Sequence, residues 1–154
     1  MERLPLKFGK HRGKTLPQIV MSDPDWFFWA MENKVLKDKN AIEGAIIYKR
    51  ARSIRVPNNE HGKYEIEYVI HPNGGVFSEM RIVRVEDPVH PGGSRTIRRA
   101  VIDMALPRSL RGYDKSGYRL FLHNLKFILF GDSNRRMTKE RCEDFFDNRD
   151  NFAL

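Results

Sequence analysis

"KYEIEYVIHPNGGVFSEMRIVRV", residues 63–85, decides the fold class. In its first half Tyr64, Ile66, Tyr68 and Ile70 alternate with Glu65 and Glu67, the two-residue period of a half-buried strand. "HPNGG", residues 71–75, holds the asparagine-glycine pair that a tight hairpin turn favours, because its central residues need positive φ. Residues 76–85 return as the partner strand, and their broken alternation predicts a bulge.

Downstream, "EDPVHPGGSRT" (86–96) reads as an exposed loop and "IRRAVIDMAL" (97–106) as a third strand closed by Pro107. "SGYRLFLHNLKFILFG" (116–131) spaces Tyr118, Phe121, Leu122, Leu125, Ile128 and Leu129 three and four apart, which predicts a buried helix stopped by Gly131. Thr138 then caps a short amphipathic helix, "KERCEDFFDN", with Phe145 and Phe146 inward.

Upstream, "VPNNEHG" (56–62) has the composition of a linker. Before it the pattern is helical. Thr15 stands three before Gln18, the spacing of a capping box, and Pro17 suits a first turn, so 16–21 is a short helix. Asp23 caps and Pro24 opens a second at 24–33, and residues 39–54 form a third before Pro57. The expected architecture is α+β: a small N-terminal hairpin-plus-helices module over 1–55, then an antiparallel-sheet α+β domain over 56–154.

Charge narrows the partners. The 28 Lys and Arg exceed the 20 Asp and Glu, giving +8 and a pI near 9.8, which favours nucleic acid, DNA before RNA, or an acidic protein surface. The excess is uneven: residues 1–55 hold 12 basic and 6 acidic side chains, residues 56–100 hold 6 of each, and residues 101–154 hold 10 and 8. A single cysteine, Cys142, excludes an internal disulfide framework. No apolar run approaches the roughly 20 residues that span a bilayer, and "MERLPLKFGK" lacks a secretory pattern. A cytoplasmic protein with no membrane partner is expected.

The densest basic cluster is "LKFGKHRGKTL", residues 6–16, where Lys7, Lys10, His11, Arg12 and Lys14 surround Gly9 and Gly13. Two very short strands joined by a turn are expected here. Glycines let backbone amides approach a phosphate while Lys10, Arg12 and Lys14 supply charge; the same glycines also serve a plain solvated turn. The wider stretch resembles the small module at the C-terminus of exonuclease X-type exonucleases. Free-standing bacterial and phage proteins described as quorum-sensing-regulated virulence factors share it. The resemblance rests on Phe8, Gly9, Lys10, Gly13, Lys14, Leu16, Asp23, Pro24, Trp26 and Trp29, and covers about the first 35 residues. No exonuclease catalytic half precedes it, so the resemblance implies a nucleic-acid-handling context without nuclease activity.

Two further basic groups join the candidate interface: Lys49, Arg50, Arg52 and Arg55 toward the end of the third helix, and Arg95, Arg98 and Arg99 around "GGSRTIRR", expected as a basic patch in a flexible loop suited to closing on a ligand. The run Trp26, Phe27, Phe28, Trp29 points around a whole helix circumference, so core filling is expected for most of it, with Trp26 at the surface. Chemistry is less well represented. His61, His71 and His90 with Glu86 and Asp87 match no metal-site spacing, and no Walker, Rossmann or nucleophile-elbow pattern occurs. Glu65, Glu67, Glu79 and Asp103 fall on expected strands and are the carboxylates a metal-dependent nuclease would draw on. No catalytic residue, metal or cofactor is assigned. A nucleic-acid-binding protein is the leading expectation, a protein-binding effector or inhibitor of a nucleic-acid-processing enzyme the second, and a nuclease the third.

Overall fold

The structure, a computed structural model, describes residues 3–71, 75–89, 95–109 and 115–154. Three helices come first: α1 (Leu16–Ser22), α2 (Pro24–Glu32) and α3 (Asp38–Ala51). Then follow β1 (Ile54–Arg55), β2 (Tyr64–Ile70), β3 (Phe77–Arg84), β4 (Arg95–Arg99) and β5 (Val101–Ile102). A 3-10 turn at Leu106–Ser109, α4 (Lys115–Phe130), α5 (Lys139–Asp147) and a second 3-10 turn at Arg149–Asn151 complete the described elements. Helices and antiparallel strands occupy separate stretches, so the fold is α+β, as expected.

The chain forms two compact units, one of Met1–Ile54 with Arg136–Leu154 and the other of Arg55–Arg135. The C-terminal helix, expected within 56–154, therefore belongs with the first three. Its apolar stripe explains this: Cys142 and Phe146 are buried, and Phe146 stacks on Phe152 at 5.6 Å. Backbone pairing of Ile54 with Phe152 and a 2.8 Å bond from the Ala153 amide to the Ser53 carbonyl close the first unit. The sequence's charge asymmetry is thereby evened out. The first unit holds 15 basic and 11 acidic residues and the second 13 and 9, an equal excess.

Within the first unit α1 is the central element, burying Leu16, Ile19, Val20 and Met21 among α2, α3 and α5. Seven residues make too few helical bonds to be stable alone, so packing holds this helix. The expected capping box does not form. Thr15 Oγ1 instead donates to Glu143 Oε1 of α5 at 3.0 Å, and Gln18 Nε2 donates to the Met137 carbonyl at 3.3 Å. Tertiary acceptors on the returning C-terminal segment outcompete the local ones. Arg3 is similarly placed, bonded to Glu43 of α3 and Asp147 of α5, with Glu143 at 3.8 Å. Burial pushes the Glu43 carboxyl above its ordinary range, against the pull of the Arg3 guanidinium.

In the second unit β2 is central in the order β3-β2-β4 and antiparallel to both neighbours. The expected bulge is present: Val69 faces Glu79 but Ile70 faces Phe77, leaving Ser78 over. The turn between these strands lies partly outside the described residues, at 72–74, as does 90–94 of the expected loop. α4 packs on β3, with Phe121 edge-on to Phe77 at 5.7 Å and the Asn124 side-chain oxygen accepting from the Met80 amide at 3.3 Å. The Tyr68 hydroxyl accepts from the Asp103 amide at 2.9 Å, and burial raises its pKa.

Several expectations for this unit need correction. α4 is not a buried helix: Gly117, Phe121 and Leu125 are covered, while Leu120 and Phe127 face solvent, since the sheet covers only one side of the helix. Gly131, at φ 75°, does stop it. The third strand begins at Arg95, so Arg95, Arg98 and Arg99 stand on β4 instead of in and beside a flexible loop; Arg98 lies opposite Glu67, and the attraction fixes that register. The 56–62 segment is no free linker, because Val56 is buried and the Asn59 side chain bonds both the Tyr64 amide and its carbonyl. Asp103 follows β5 and caps the Ala105 amide. No helix among the described residues is long and apolar enough to cross a membrane.

Candidate nucleic-acid interface

Leu6 is buried and anchors the basic loop that follows it. The Leu6 amide donates to the Lys14 carbonyl at 3.0 Å, and the Gly13 amide donates to the Leu6 carbonyl at 2.8 Å, closing a ring of residues without forming the two expected strands. Inside it, bonds from Arg12 to Gly9 (3.2 Å) and from Lys14 to His11 (3.1 Å) stack two tight turns. These turns require left-handed backbone at Gly9 (φ 74°) and Gly13 (φ 86°), and a side chain added at either would meet open space. The amides of Gly9, Lys10 and His11 donate to no acceptor among the described residues. Unbonded amides beside cations are the raw material of an anion site.

Asp23 fixes this loop to α2. One carboxylate oxygen accepts from the Trp26 amide at 3.4 Å and caps the helix; the other holds Lys10 Nζ at 3.1 Å and His11 Nε2 at 2.8 Å. A carboxylate only accepts, so His11 carries a proton on Nε2. The imidazole is buried, with its ring 5.0 Å from that of Trp26 in an edge arrangement. Lys10 is tethered yet 63% exposed, Arg12 and neighbouring Lys7 are exposed, and Lys14 is half-buried. Among the described residues one carboxylate thus answers a stretch, Lys7 to Lys14, carrying four permanent cations.

The remaining expected cations divide. Lys49 is exposed near the end of α3. Arg50 is structural: it donates to the Phe146 carbonyl at 2.5 Å and lies over the Phe152 ring at 5.6 Å. Arg52 covers the Tyr48 ring at 5.7 Å and donates to its hydroxyl at 3.2 Å. Arg55 is exposed and begins the second unit. On β4, Arg95 and Arg99 are exposed, whereas Arg98 is taken up by Glu67 (2.8 Å), Glu65 (3.4 Å) and the carbonyls of Asp87 and Pro88.

Sequence reasoning missed Trp29. Of the four consecutive aromatics, Phe27 and Phe28 are buried, Trp26 is half-buried against His11, and Trp29 is 45% exposed. The helical period carries the signal. Trp26 and Trp29 are one turn apart and share a side, with ring centres at 6.2 Å, while Phe28 points to Tyr48 of α3.

The carboxylates have other duties. Glu67 is wholly buried on β2 between Arg81, bonded at 2.8 and 3.1 Å, and Arg98. Burial alone would raise its carboxyl, but the bonds from Arg98 and Arg81 outweigh it and hold the group below its ordinary range. His61 and His71 are exposed, and His90 lies outside the described residues. Among the described residues no three of His, Cys, Asp and Glu are grouped to hold a metal ion.

No family model, curated protein or solved structure matches this chain.

Proposed function

We propose that this is a non-enzymatic, cytoplasmic nucleic-acid-binding protein of bacterial or phage type that grips backbone phosphate through the loop Phe8–Lys14. The observation carrying this reading is the loop itself: Lys10, Arg12 and Lys14, with Lys7 just before them, around amides that no acceptor among the described residues uses, held in shape by Asp23. Each phosphate neutralised releases counterions, so such a grip gives affinity without reading sequence. Lys49 is a further exposed cation in the same unit. The resemblance of the first 35 residues to the exonuclease X module agrees with a DNA-handling role.

The test is fluorescence anisotropy of labelled DNA across salt, with wild type and a Lys10→Ala, Arg12→Ala, Lys14→Ala variant. Wild type binds with a steep salt dependence and little sequence preference. The variant loses about two units of slope in log K against log salt and at least tenfold in affinity at low salt. Equal binding by the variant overturns the reading.

The exposed side of α4 favours a second reading, an effector that docks on an acidic protein surface. Leu120 and the 64%-exposed Phe127 sit on a helix whose sequence has three basic residues and no acidic one. On this reading a purified nucleic-acid-processing enzyme retains the protein after nuclease treatment and loses it when Phe127→Asp is introduced.

A further inference from the structure

Trp29 is a large aromatic side chain whose exposure the packing of the first unit does not account for. Beside it, α2 buries Phe27, Phe28 and Ala30 completely, so the helix had apolar side chains enough for its inner face. An indole left 45% exposed gains nothing in the folded monomer from its outer half. It is also not an isolated surface residue. Its ring stands 6.2 Å from Trp26, the Trp26 ring stands 5.0 Å from His11, and His11 belongs to the basic loop. Asp23 makes the path stiff by capping α2 with one oxygen and holding Lys10 and His11 with the other. The basic loop and an open aromatic surface are therefore linked, through His11 and Trp26, on one short piece of chain.

We propose that Trp29, backed by Trp26, is a stacking platform for unpaired bases, and that the ligand of the loop is single-stranded nucleic acid. This rests on the phosphate-grip reading above and specifies its ligand. The argument is complementarity of both charge and shape. A single strand offers phosphates on one side and accessible base faces on the other, and the loop and the indole meet the two in turn. In a duplex the base faces are stacked on one another, so a duplex satisfies the cations and leaves Trp29 without a partner. Phe8, exposed between Lys7 and Gly9, adds a second aromatic at the loop's own entrance. Stacking uses the π-face common to all bases, which agrees with a grip that reads no sequence.

The chain holds two tryptophans, both in this platform, so its own fluorescence reports on the site. The full-length protein is titrated with an oligodeoxythymidylate, with an abasic oligomer of equal length and charge, and with a hairpin duplex. Thymidylate is expected to quench tryptophan emission and to bind about tenfold tighter than the abasic strand. Trp29→Ala removes that tenfold advantage while leaving abasic binding unchanged, and Trp29→Phe retains most of it. Circular dichroism of both variants confirms the fold, which the outward position of the residue should leave intact. If thymidylate and abasic strand bind equally, both sensitive to Lys10, Arg12 and Lys14, stacking is refuted and the phosphate grip stands. If a duplex binds as tightly as thymidylate, the single-strand assignment is wrong. If nothing binds at low salt, the phosphate-grip reading fails together with this inference.

Discussion

Replacing Glu67 with glutamine removes a charge and keeps the shape, and its effect on the second unit can be worked from the geometry. The carboxylate is fully buried on the central strand and takes three hydrogen bonds, two from Arg81 and one from Arg98. An amide in its place offers one oxygen and a donor that faces guanidinium donors, so at least one bond becomes a clash of like groups. Arg81, 38% exposed, can turn to water, but Arg98, held at 16% exposure by the carbonyls of Asp87 and Pro88, would be left with its longer 3.4 Å contact to Glu65 in place of the 2.8 Å bond to Glu67. Breaking a buried pair from one side costs about 3 kcal/mol. Hydrogen exchange at the amides of β2 reads this locally, without assuming that the two units unfold together, and a loss of that size speeds exchange roughly 150-fold. The pH dependence supplies a sign. Because the folded carboxyl lies below its unfolded value of 4.5, its contribution is complete above pH 4.5 and drains away as pH falls through the folded value. Wild type should therefore show an acid-side loss of β2 protection that Glu67→Gln lacks. Protection within about twofold of wild type at pH 7, or an unchanged acid slope, would refute the reasoning.

Glu43 predicts the opposite sign in the first unit. Its folded carboxyl lies above 4.5, so that unit gains stability as pH falls from the raised value toward 4.5. Glu43→Gln, which leaves Arg3 with Asp147 and Glu143, should then be neutral or stabilising at pH 7 and flatten this dependence in exchange of the α3 amides. Thr15→Val should cost about 1 to 2 kcal/mol by stranding Glu143, and the double variant with Glu143→Gln should cost less than the two singles combined. Additive costs in that unfolding cycle would restore the local capping role that the sequence suggested for Thr15.

What the sequence revealed and what it concealed follow from the range of the interactions. The hairpin, its bulge, the Asp23 and Thr138 caps and the Gly131 stop were legible because each depends on residues a few positions apart. Thr15 and Gln18 were misread for the converse reason: their partners Glu143 and Met137 lie more than 100 positions away. The same return of the chain hid the boundary between the units, since α5 carries an amphipathic pattern that fits either one. In the loop the glycines and their positive φ were readable, but Asp23's hold on Lys10 and His11 was not, because capping alone explained that aspartate. Trp29 was obscured by its neighbours. In a run of four aromatics only the direction of the helix's inner face separates core from surface, and that direction is set by α1 and α3.

The fate of the cations sharpens the functional argument. Arg3, Arg50, Arg81 and Arg98 became structural because a planar guanidinium satisfies several acceptors at once and can cover an aromatic ring. Lys7, Lys14 and Lys49 make no side-chain hydrogen bond or ion pair among the described residues, and Lys10 has one partner while remaining largely exposed. A lysine is a mobile point charge, poor at fixing a fold and adequate for a phosphate whose position varies along a strand. On the proposed reading net charge overstates the binding surface, because these four arginines hold the fold. Next to Asp23 the first unit presents a lysine-rich loop with one exposed arginine, Arg12, linked through His11 and Trp26 to an exposed indole. That composition suits a backbone followed loosely and bases held by their faces better than it suits readout of base edges, which would need several free, rigidly placed arginines.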